Sequence, residues 1–551
     1  KTGGTGFLYF TSFLCGMAVM GVELSATRLL APYFGTSMIV WSVVIGLIMV
    51  SLSLGNYLGG KIADKFNSKA KLYTFIWMAS IWVAVIPLLG KYIIALSAIV
   101  LMWVLPSNLI VGGSVLSCLI IFSFPLTILG IVSPYLVKLG VDDIENNGKI
   151  TGKIDAFSTI GSIIGTIVPT FVTIPYLGTS RTFYIHALML NLLSLYYFII
   201  NREKSRKQAI ISAITAIAIT ALLFAPLNNS YAFWKDVIVE EESIYNYLQV
   251  YEDGDEINLS TNVAFGVQSV YNKKNILSGS YYDYALMAPL FIKDFTPQED
   301  LDVLILGMGT GTFAKQCKYF YPYSKIDGVE IDSKIVKLSR EYFELKPEEA
   351  NVFVNDGRTF LYSKDASKYD IIMVDAYHDI TIPFHMSTVE FFDQVKEHLK
   401  EGGVIVININ MRSEKNTEIV DYLTQTVKYN MQKVYAVNTK RDLNVMVYAS
   451  DDPDCDKNFM ANMERIKNSI GFQNTVEQRN KEKYHELAEY VFGNIQEIKE
   501  SKLIFTDEIA PVEIMGQDLL DEIVKDTIDD FKEDIKLTPE GIKKLFNMIS
   551  G

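Results

Sequence analysis

A glycine turn and an acidic residue in the second half of the chain are spaced as in a nucleoside-binding site. Gly307, Gly309 and Gly311, with Thr310 between the last two, follow the apolar run "VLIL". Glycines at such a place let the chain turn tightly and let a ligand approach the backbone. Glu330 ends the next apolar run, 19 residues after Gly311. A carboxylate at this distance can accept hydrogen bonds from both hydroxyls of a ribose.

Two aspartates follow the next two apolar runs and extend the same predicted site. Asp356, in "NDGR", can accept a hydrogen bond from an exocyclic amine such as that of adenine. Asp375, in "VDAYHD", follows the fourth predicted strand and lies at the mouth of the same cleft. No Lys-Ser or Lys-Thr pair follows the glycines, although a phosphate-binding loop would need one. The four segments together predict a site for an adenosine without a long phosphate chain.

The elements that must position these residues alternate between strand and helix. We predict strands at 302–307, 325–332, 351–356, 370–377 and 404–409, and helices at 312–320, 333–343 and 387–403. Such alternation implies a parallel, doubly wound α/β sheet, in which ligands bind at the carboxyl ends of the strands. Before it, residues 243–272 mix alternating apolar residues with Gly, Asp and Asn, which predicts short antiparallel hairpins, and 281–292 is predicted to be a helix.

The first part of the chain has a different composition, dominated by apolar residues with few charges. An apolar helix of about 20 residues is long enough to span a bilayer. Candidate spans are 7–31, 38–60, 72–89, 109–137, 155–176, 182–200 and 208–226, and the run 92–105 is an eighth span or a re-entrant segment. The first run is not expected to be a cleaved signal peptide, because it carries Glu23 and Arg28 and further spans follow. The sequence thus predicts an all-α polytopic membrane bundle of seven or eight spans.

The charges of the bundle leave its orientation open. The basic segments 61–71 and 201–207 should both face the cytoplasm by the positive-inside rule. Seven spans would put them on one face, with the second half outside the cell, whereas eight would put them on opposite faces. Because a site for a cytosolic nucleotide must face the cytoplasm, the sequence favours eight spans and a cytoplasmic second half.

Two further features of the bundle are candidates for function or for packing. Glu23 and Arg28 lie at membrane depth, where ionisable groups are costly and indicate either a functional site or a pair that locks the helices together. The segment "GNYLGGKIADK" (55–65) resembles a loop motif of major facilitator transporters, and its glycines allow close approach of helices.

The composition excludes some classes of partner. The formal net charge of −13 belongs mainly to the second half, which argues against nucleic acid. The four cysteines do not have ligand spacing, so neither a disulfide framework nor a metal site is predicted. The predicted domains are a transmembrane helical domain (1–230), a small β-rich subdomain with a linking helix (231–295), a Rossmann-like nucleotide-binding domain (296–450) and a helical C-terminal extension (451–551).

The order "GMGTG", "VEID", "NDGR", "VDAY" resembles the spermidine synthase, or polyamine aminopropyltransferase, family. Nearly the whole chain is similar to the membrane-fused members of that family, in the blocks "ELSATRLLAPYFGTS", "SLSLGNYLGGKIAD", "YYDYALMAPLF", "TIPFHMSTVEFF" and "TDEIAPVE". The resemblance implies a membrane-bound transferase of polyamine biosynthesis with a Rossmann-like, S-adenosylmethionine-dependent fold. Its co-substrate would be decarboxylated S-adenosylmethionine or S-adenosylmethionine, and it would alkylate an amine.

The resemblance also implies roles for the matching residues. The three glycines and Thr310 would face the sulfonium end of the nucleotide, Glu330 the ribose, and Asp356 with Gly357 the adenine. Gln268 occupies the place of a nucleotide-contacting glutamine, and Tyr245 with Asn246 the place of a Tyr-Gln pair in the first strand. Asp375 would be the catalytic carboxylate, and Tyr377 would stack on the nucleotide or the substrate.

The sequence departs from the family's pattern where the amine should bind. The family usually has an aspartate at the position of Thr310, to pair with the transferred aminopropyl group. His378, a candidate catalytic base, stands where the family has its second carboxylate, and Asp379 follows one residue late. On the linking helix, Tyr282 and Asp283 occupy the block that holds a glutamate in the family. Fewer carboxylates predict weaker recognition of a polycationic amine, so an acceptor other than putrescine and ordinary S-adenosylmethionine as the donor stay open. The fusion to a membrane bundle separately suggests a lipid-like acceptor as an alternative to a small amine.

Two alternative functions remain open at the level of the sequence. One is an S-adenosylmethionine-dependent methyltransferase, although Ile305 stands where many methyltransferases have an acidic residue. The other is a transporter or sensor whose second half binds a nucleotide to regulate the bundle. The family resemblance further implies a possible homodimer, and Glu513 in "APVE" would either bind a ligand or hold down the C-terminal segment.

Overall fold

The computed structural model describes residues 5–104, 109–141, 147–225, 231, 237–262, 267–363, 365–377, 382–410, 413, 416–441, 443–501, 503–516 and 519. Its first half is a helical bundle. The helices are α1 (Thr5–Phe34), α2 (Met38–Lys65), α3 (Lys69–Val104), α4 (Leu109–Ile121), α5 (Ser123–Gly140), α6 (Asn147–Val168), α7 (Ile174–Leu177), α8 (Thr179–Ile200) and α9 (Arg202–Phe224). A π-helical turn, Pro169–Thr173, joins α6 to α7.

Seven helical stretches of the described residues are long and apolar enough to cross a membrane. They are α1, α2, α3, α5, α6 with α7, α8 and α9. The expectation of eight spans is wrong at one place, because the predicted runs 72–89 and 92–105 belong to the single helix α3. Gly90 and Lys91 separate those runs in the sequence, and neither residue needs to interrupt a helix. The predicted run 109–137 is divided at Phe122 into the short helix α4 and the helix α5.

Glycines let two pairs of bundle helices pack backbone to backbone. In α2, a Cβ atom on Gly55 would lie 2.2 Å from the carbonyl oxygen of Thr127 in α5, and one on Gly59 would lie 2.8 Å from that of Ile131. In α6, a Cβ atom on Gly161 would lie 2.0 Å from the carbonyl oxygen of Phe13 in α1. Small residues at such crossings allow the close van der Waals contact that holds helices together in a bilayer. Gly55 and Gly59 of the segment 55–65 therefore allow the close approach of helices that the sequence predicted.

The two basic segments of the bundle lie on one face. Tyr73, near the start of α3, stacks on Tyr197, near the end of α8, with ring centroids 4.2 Å apart. Asp64, near the end of α2, pairs with Lys138, near the end of α5, at 2.8 Å. Segments 61–71 and 201–207 adjoin these contacts. The other end of α8 begins at Thr179, whose backbone nitrogen donates to Glu242 of the second half at 3.0 Å. The basic segments therefore lie on the face away from the second half.

The second half begins with a four-stranded antiparallel sheet in the order β1-β2-β3-β4. Its strands are β1 (Val237–Glu242), β2 (Tyr247–Asp253), β3 (Glu256–Thr261) and β4 (Ser269–Asn272). The predicted helix 281–292 is a short helix, α10 (Tyr281–Ala285), followed by a 3₁₀ turn, Ala288–Phe291. Pro289 provides no backbone N–H, which fits the end of the α-helix before it.

An eight-stranded sheet follows, in the order β12-β10-β11-β9-β8-β5-β6-β7. Its strands are β5 (Leu301–Leu306), β6 (Ser324–Glu330), β7 (Asn351–Val354), β8 (Tyr369–Val374), β9 (Leu399–Ile409), β10 (Lys433–Asn438), β11 (Val445–Ser450) and β12 (Gln496–Glu497). The helices are α11 (Thr312–Phe320), α12 (Ser333–Glu341), α13 (Gly357–Leu361), α14 (Val389–Glu397), α15 (Glu418–Asn430), α16 (Cys455–Lys467), α17 (Ile470–Thr475) and α18 (Gln478–Asn494).

The direction of the strands explains where a ligand can bind. Strands β5 to β9 pair in parallel, as predicted, whereas β10, β11 and β12 join antiparallel at one edge. The chain runs from β5 outward through β6 and β7, and then returns to start again beside β5 with β8. This reversal opens a crevice at the carboxyl ends of β5 and β8, which is where doubly wound sheets bind ligands.

We predict that Gly59→Ala destabilises the bundle, because the added methyl group would press on the backbone of α5. Overpacking of this kind typically costs about 1–3 kcal/mol. The neighbouring Gly60 is a matched control, since a Cβ atom there would meet no atom within 4 Å. Thermal unfolding in detergent should show a lower midpoint for Gly59→Ala and an unchanged or slightly raised one for Gly60→Ala. Equal midpoints for the two variants would contradict the close packing of α2 on α5.

Candidate active site

A cavity of about 330 Å³ opens at the carboxyl ends of strands β5 to β8. Its described lining includes the four carboxylates of Glu330, Asp356, Asp375 and Glu513, and contains neither lysine nor arginine. Uncompensated carboxylates in a partly enclosed cavity make its potential negative, which favours a cationic ligand. The C-terminal Glu513, far along the chain, thus lies at the cavity rather than apart from it.

The glycine turn brings the ends of β5 and β8 into contact. Gly307 has a φ angle of 87°, and a Cβ atom there would lie 2.5 Å from the carbonyl oxygen of Asp375. Gly307 and Gly309 line the cavity. Thr310 and Gly311 do not belong to its described lining, although both were predicted to face the nucleotide. Thr310 is 1% exposed, and Gly311 begins α11 with its Cα facing the side chain of Leu345.

Glu330 ends β6 and is held by backbone N–H groups. Its Oε2 accepts a hydrogen bond from Gly309 at 2.9 Å, and its Oε1 accepts one from Asp332 at 3.1 Å. Burial raises the pKa of this carboxyl to about 7, against the effect of the two hydrogen bonds, which lower it. A carboxylate fixed beside the glycine turn is suited to bind ribose hydroxyls, as predicted.

Asp356 caps α13 and pairs with a histidine that the sequence did not single out. Its Oδ1 accepts from the backbone nitrogen of Thr359 at 2.8 Å, and its Oδ2 lies 3.1 Å from Nε2 of His385. The hydrogen bond with His385 is the main cause that lowers the pKa of Asp356 to about 2. Gly357 and His385 also line the cavity, so this corner presents a fixed anion beside an imidazole.

Asp375 follows β8 and is held by two neutral side chains. Tyr281 donates its phenolic hydrogen to Oδ2 at 2.8 Å, and Asn408 donates its amide to Oδ1 at 2.9 Å. Burial raises the pKa of Asp375 to about 7, and the charge of Glu330 raises it further, while the two hydrogen bonds lower it. A carboxyl whose pKa lies near neutrality is suited to take a proton from a substrate. Tyr281 and Asn408 were not foreseen from the sequence.

Four other predicted residues line the cavity: Tyr245, Asn246, Gln268 and Tyr377. The hydroxyl of Tyr377 donates to the carbonyl oxygen of Asn408 and accepts from the backbone nitrogen of Asn410 at 2.8 Å. These two hydrogen bonds hold the hydroxyl at the end of β9, so Tyr377 forms part of the cavity wall. The carbonyl oxygen of Gln268 accepts a hydrogen bond from the hydroxyl of Tyr282 at 3.0 Å, which connects α10 to the residue just before β4.

Two residues predicted to bind the substrate lie outside the cavity lining. Asp283 is 4% exposed, and its carboxylate accepts hydrogen bonds from the backbone of Ser278 and Gly279 and from the amide of Gln316, at 2.7–3.0 Å. It therefore ties the loop before α10 to α11. Tyr282 is also 4% exposed and faces Gln268, whereas its neighbour Tyr281 reaches the cavity.

The remaining sequence predictions cannot be placed in the site. His378 and Asp379 lie outside the described residues. Within the described part of the chain, no group of three His, Cys, Asp or Glu side chains could hold a metal ion. The chemistry of the cavity is therefore inferred from its carboxylates, its glycine turn and its tyrosines.

Comparison with known proteins decides the family. Residues 289–451 match the family model "Spermine/spermidine synthase domain". A probable polyamine aminopropyl transferase of Bifidobacterium longum is 39% identical over 349 residues, which cover 62% of this chain and 75% of the relative. The chain belongs to the polyamine aminopropyltransferase family. It is therefore related to enzymes of the transferase class, as the motifs of the second half indicated.

A second relative agrees with this membership. A polyamine aminopropyltransferase of Vibrio vulnificus is 30% identical over 203 residues, which cover 36% of this chain and 67% of that protein. Among solved structures, a probable spermidine synthase of Corynebacterium glutamicum is 20% identical, with a TM-score of 0.35, over 42% of this chain and 86% of the other. The matched family model lies entirely in the second half, with the glycine turn and the three strand-end carboxylates inside it.

We predict that kcat/KM rises as the pH increases through about 7, because Asp375 can accept a proton only when it is ionised. Tyr281→Phe removes a hydrogen bond that favours the ionised form, so the acid limb of the profile should move upward by about one pH unit. Tyr284→Phe, on the same helix, is the control, since its hydroxyl accepts from the backbone nitrogen of Lys440 instead. If the acid limb of the kcat/KM profile had the same midpoint in Tyr281→Phe as in the unchanged protein, Asp375 would not control the rate.

Proposed function

We propose that the cleft transfers an aminopropyl group from decarboxylated S-adenosylmethionine to a small amine. The observation that carries this proposal is the combination of four carboxylates in the cavity lining with the absence of lysine and arginine from its described part. Both reactants are cations, since the donor carries a sulfonium and an amine carries a proton at neutral pH. The negative charge of the lining therefore matches the positive charge of both reactants. The cavity volume of about 330 Å³ lies at the lower end of the usual range for small-molecule sites.

The same lining favours the decarboxylated donor over S-adenosylmethionine itself. S-adenosylmethionine bears a carboxylate that the decarboxylated form lacks. In this cavity such a carboxylate would lie near Glu330 and Asp375 with no lysine or arginine of the described lining to pair with it. A buried, unpaired anion beside other anions is costly. The identity of residue 310 bears less on this choice than the sequence indicated, because Thr310 does not line the described cavity.

The chain's residues can then support a direct displacement. Glu330, held in place by the N–H of Gly309, orients the ribose, and Asp356 orients the adenine, which holds the reacting carbon in line with the amine. The neutral amine nitrogen forms a bond to the methylene carbon beside sulfur, the carbon–sulfur bond breaks, and its electron pair remains on sulfur as a neutral thioether. Asp375 accepts the proton that the bound ammonium loses to become the neutral amine, and after the displacement the alkylated nitrogen carries the positive charge.

Product analysis tests this proposal on the full-length chain in detergent. Incubation with decarboxylated S-adenosylmethionine and putrescine should yield methylthioadenosine and a longer amine, whereas S-adenosylmethionine should yield little S-adenosylhomocysteine. Asp375→Asn should reduce the rate by about 10²–10⁴-fold. Asp253→Asn, at an exposed carboxylate on the β2–β3 turn, should leave the rate unchanged. Preferential formation of S-adenosylhomocysteine would make the protein a methyltransferase instead.

We propose further that the bundle anchors the catalytic half to a lipid bilayer, with the catalytic half outside the cytoplasm. Seven apolar helices of sufficient length support the anchoring. The basic segments 61–71 and 201–207 lie on the bundle face away from the cleft, whereas the described connections on the near face, at 35–37 and 178, carry no lysine or arginine, and Arg28 and Arg181 lie within the adjoining helices. The positive-inside rule assigns the basic face to the cytoplasm. The cytoplasmic placement expected from the sequence rested on a cytosolic donor, from which eight spans were inferred. The orientation proposed here instead requires that the donor reach the cleft from outside the cytoplasm.

Cysteine labelling of right-side-out membrane vesicles tests this orientation. Asp253→Cys lies in the catalytic half and Asn67→Cys on the basic face, and both positions are exposed. A membrane-impermeant maleimide should label Asp253→Cys directly and Asn67→Cys only after permeabilisation. The four native cysteines are buried and should contribute little background. The reverse labelling pattern would place the cleft in the cytoplasm.

A further inference from the structure

The segment 242–246 connects the membrane bundle to the nucleotide cavity. At its start, the carboxylate of Glu242 accepts hydrogen bonds from the backbone nitrogen and the hydroxyl of Thr179, at 3.0 and 2.6 Å. Thr179 is the first residue of α8, so Glu242 caps a bundle helix and lies where the helix dipole favours an anion. At its end, Tyr245 and Asn246 line the cavity. One short segment is therefore fixed by the bundle and forms part of the cavity wall.

Arg28 of α1 holds the middle of this segment. Its guanidinium donates to the carbonyl oxygen of Ile244 at 2.6 Å and to that of Tyr245 at 3.4 Å. The planar guanidinium can hold two neighbouring carbonyl groups in a fixed relation, and a hydrogen bond from a charged donor is stronger than a neutral one. Arg28 thus contacts the backbone of the cavity wall from within a membrane helix.

The segment is connected to the ribose-binding carboxylate through one buried aspartate. Ser243 and Asn246 both donate to Oδ2 of Asp332, at 2.5 and 3.0 Å. The backbone nitrogen of Asp332 in turn donates to Oε1 of Glu330 at 3.1 Å. Asp332 is 1% exposed, so the network is shielded from water and its geometry is restricted. A displacement of the segment would therefore change the position of the Glu330 carboxylate.

A lysine from the catalytic half fixes the same junction from the other side. Lys334, in the first turn of α12, donates to the carbonyl oxygen of Pro175 in the bundle at 2.9 Å and to that of Glu242 at 2.6 Å. Arg28 therefore reaches from the bundle to the catalytic half, and Lys334 reaches from the catalytic half to the bundle. Both side chains donate to backbone carbonyl oxygens. The position of the segment depends on contacts from both halves.

We propose that Arg28 is a positioning residue for the donor nucleotide, and that the membrane bundle shapes the ribose end of the catalytic cleft through it. This role rests on the proposed donor site. Because Arg28 acts on the wall formed by Tyr245 and Asn246 and, through Asp332, on Glu330, its loss should weaken binding of the donor. Asp375, at the end of β8, is held by Tyr281 and Asn408, which do not belong to this network, so the chemical step should change little.

Kinetics and donor binding with the full-length chain test this role. In Arg28→Gln, the KM and the dissociation constant of decarboxylated S-adenosylmethionine should rise about tenfold, as expected for loss of a charge-assisted hydrogen bond. The kcat and the KM of putrescine should stay within about twofold of the unchanged protein. Arg28→Lys should restore part of the donor affinity, since an ammonium can still donate to one of the two carbonyl groups.

Arg181→Gln is the matched control, because Arg181 is an exposed arginine at the start of α8 on the same junction. It should leave every constant unchanged. Unaltered donor affinity in Arg28→Gln would overturn the inference, as would equal losses in donor affinity, kcat and thermal midpoint in Arg28→Gln and Arg28→Lys. If the unchanged protein bound neither sulfonium donor, the proposed function would fail together with this inference. Donor binding that does not differ between the unchanged protein and Arg28→Gln would refute the inference alone.

Discussion

The contact between the ends of β5 and β8 is the constraint on which the catalytic half depends. A side chain on Gly307 would overlap the carbonyl group of Asp375, so only glycine lets these two loops meet. The contact places the carboxylate of Asp375 beside the glycine turn, and the backbone of that turn in turn holds Glu330. Burial raises the pKa of both carboxyl groups to about 7, and the charge of Glu330 raises the pKa of Asp375 further. The proposed binding and proton-transfer roles therefore both depend on one close approach of backbone.

The sequence predicted most of this site because its residues occupy strand ends. Apolar runs reveal parallel strands, and parallel strands bring their carboxyl ends to one edge, so Glu330, Asp356 and Asp375 could be grouped without a structure. The partners of these carboxylates were not predictable in the same way. Tyr281, His385 and Asn408 come from a short helix, a 3₁₀ turn and the end of β9, and no periodicity links them to Asp375 or Asp356.

Among the predicted site residues, the structure differs from the sequence interpretation where the direction of a side chain decides its contacts. Asp283 and Tyr281 are two residues apart on one short helix, yet Asp283 turns to buried backbone groups while Tyr281 turns to Asp375. Thr310 lies inside the glycine turn but not on the described cavity wall. In the bundle, hydropathy located the apolar runs, whereas the number of spans depended on whether α3 continues through Gly90 and Lys91, which composition does not determine.

The carboxylate of Glu242 has a consequence for how the two halves can be separated. In the intact chain it is fully enclosed, and its hydrogen-bond donors on α8 belong to the bundle. A catalytic half cut free after α9 would expose this carboxylate to water and would leave the carbonyl groups of Ile244 and Tyr245 without the guanidinium that orders them. The bundle therefore supplies hydrogen bonds to the cavity wall from a helix that is also long and apolar enough to cross a bilayer.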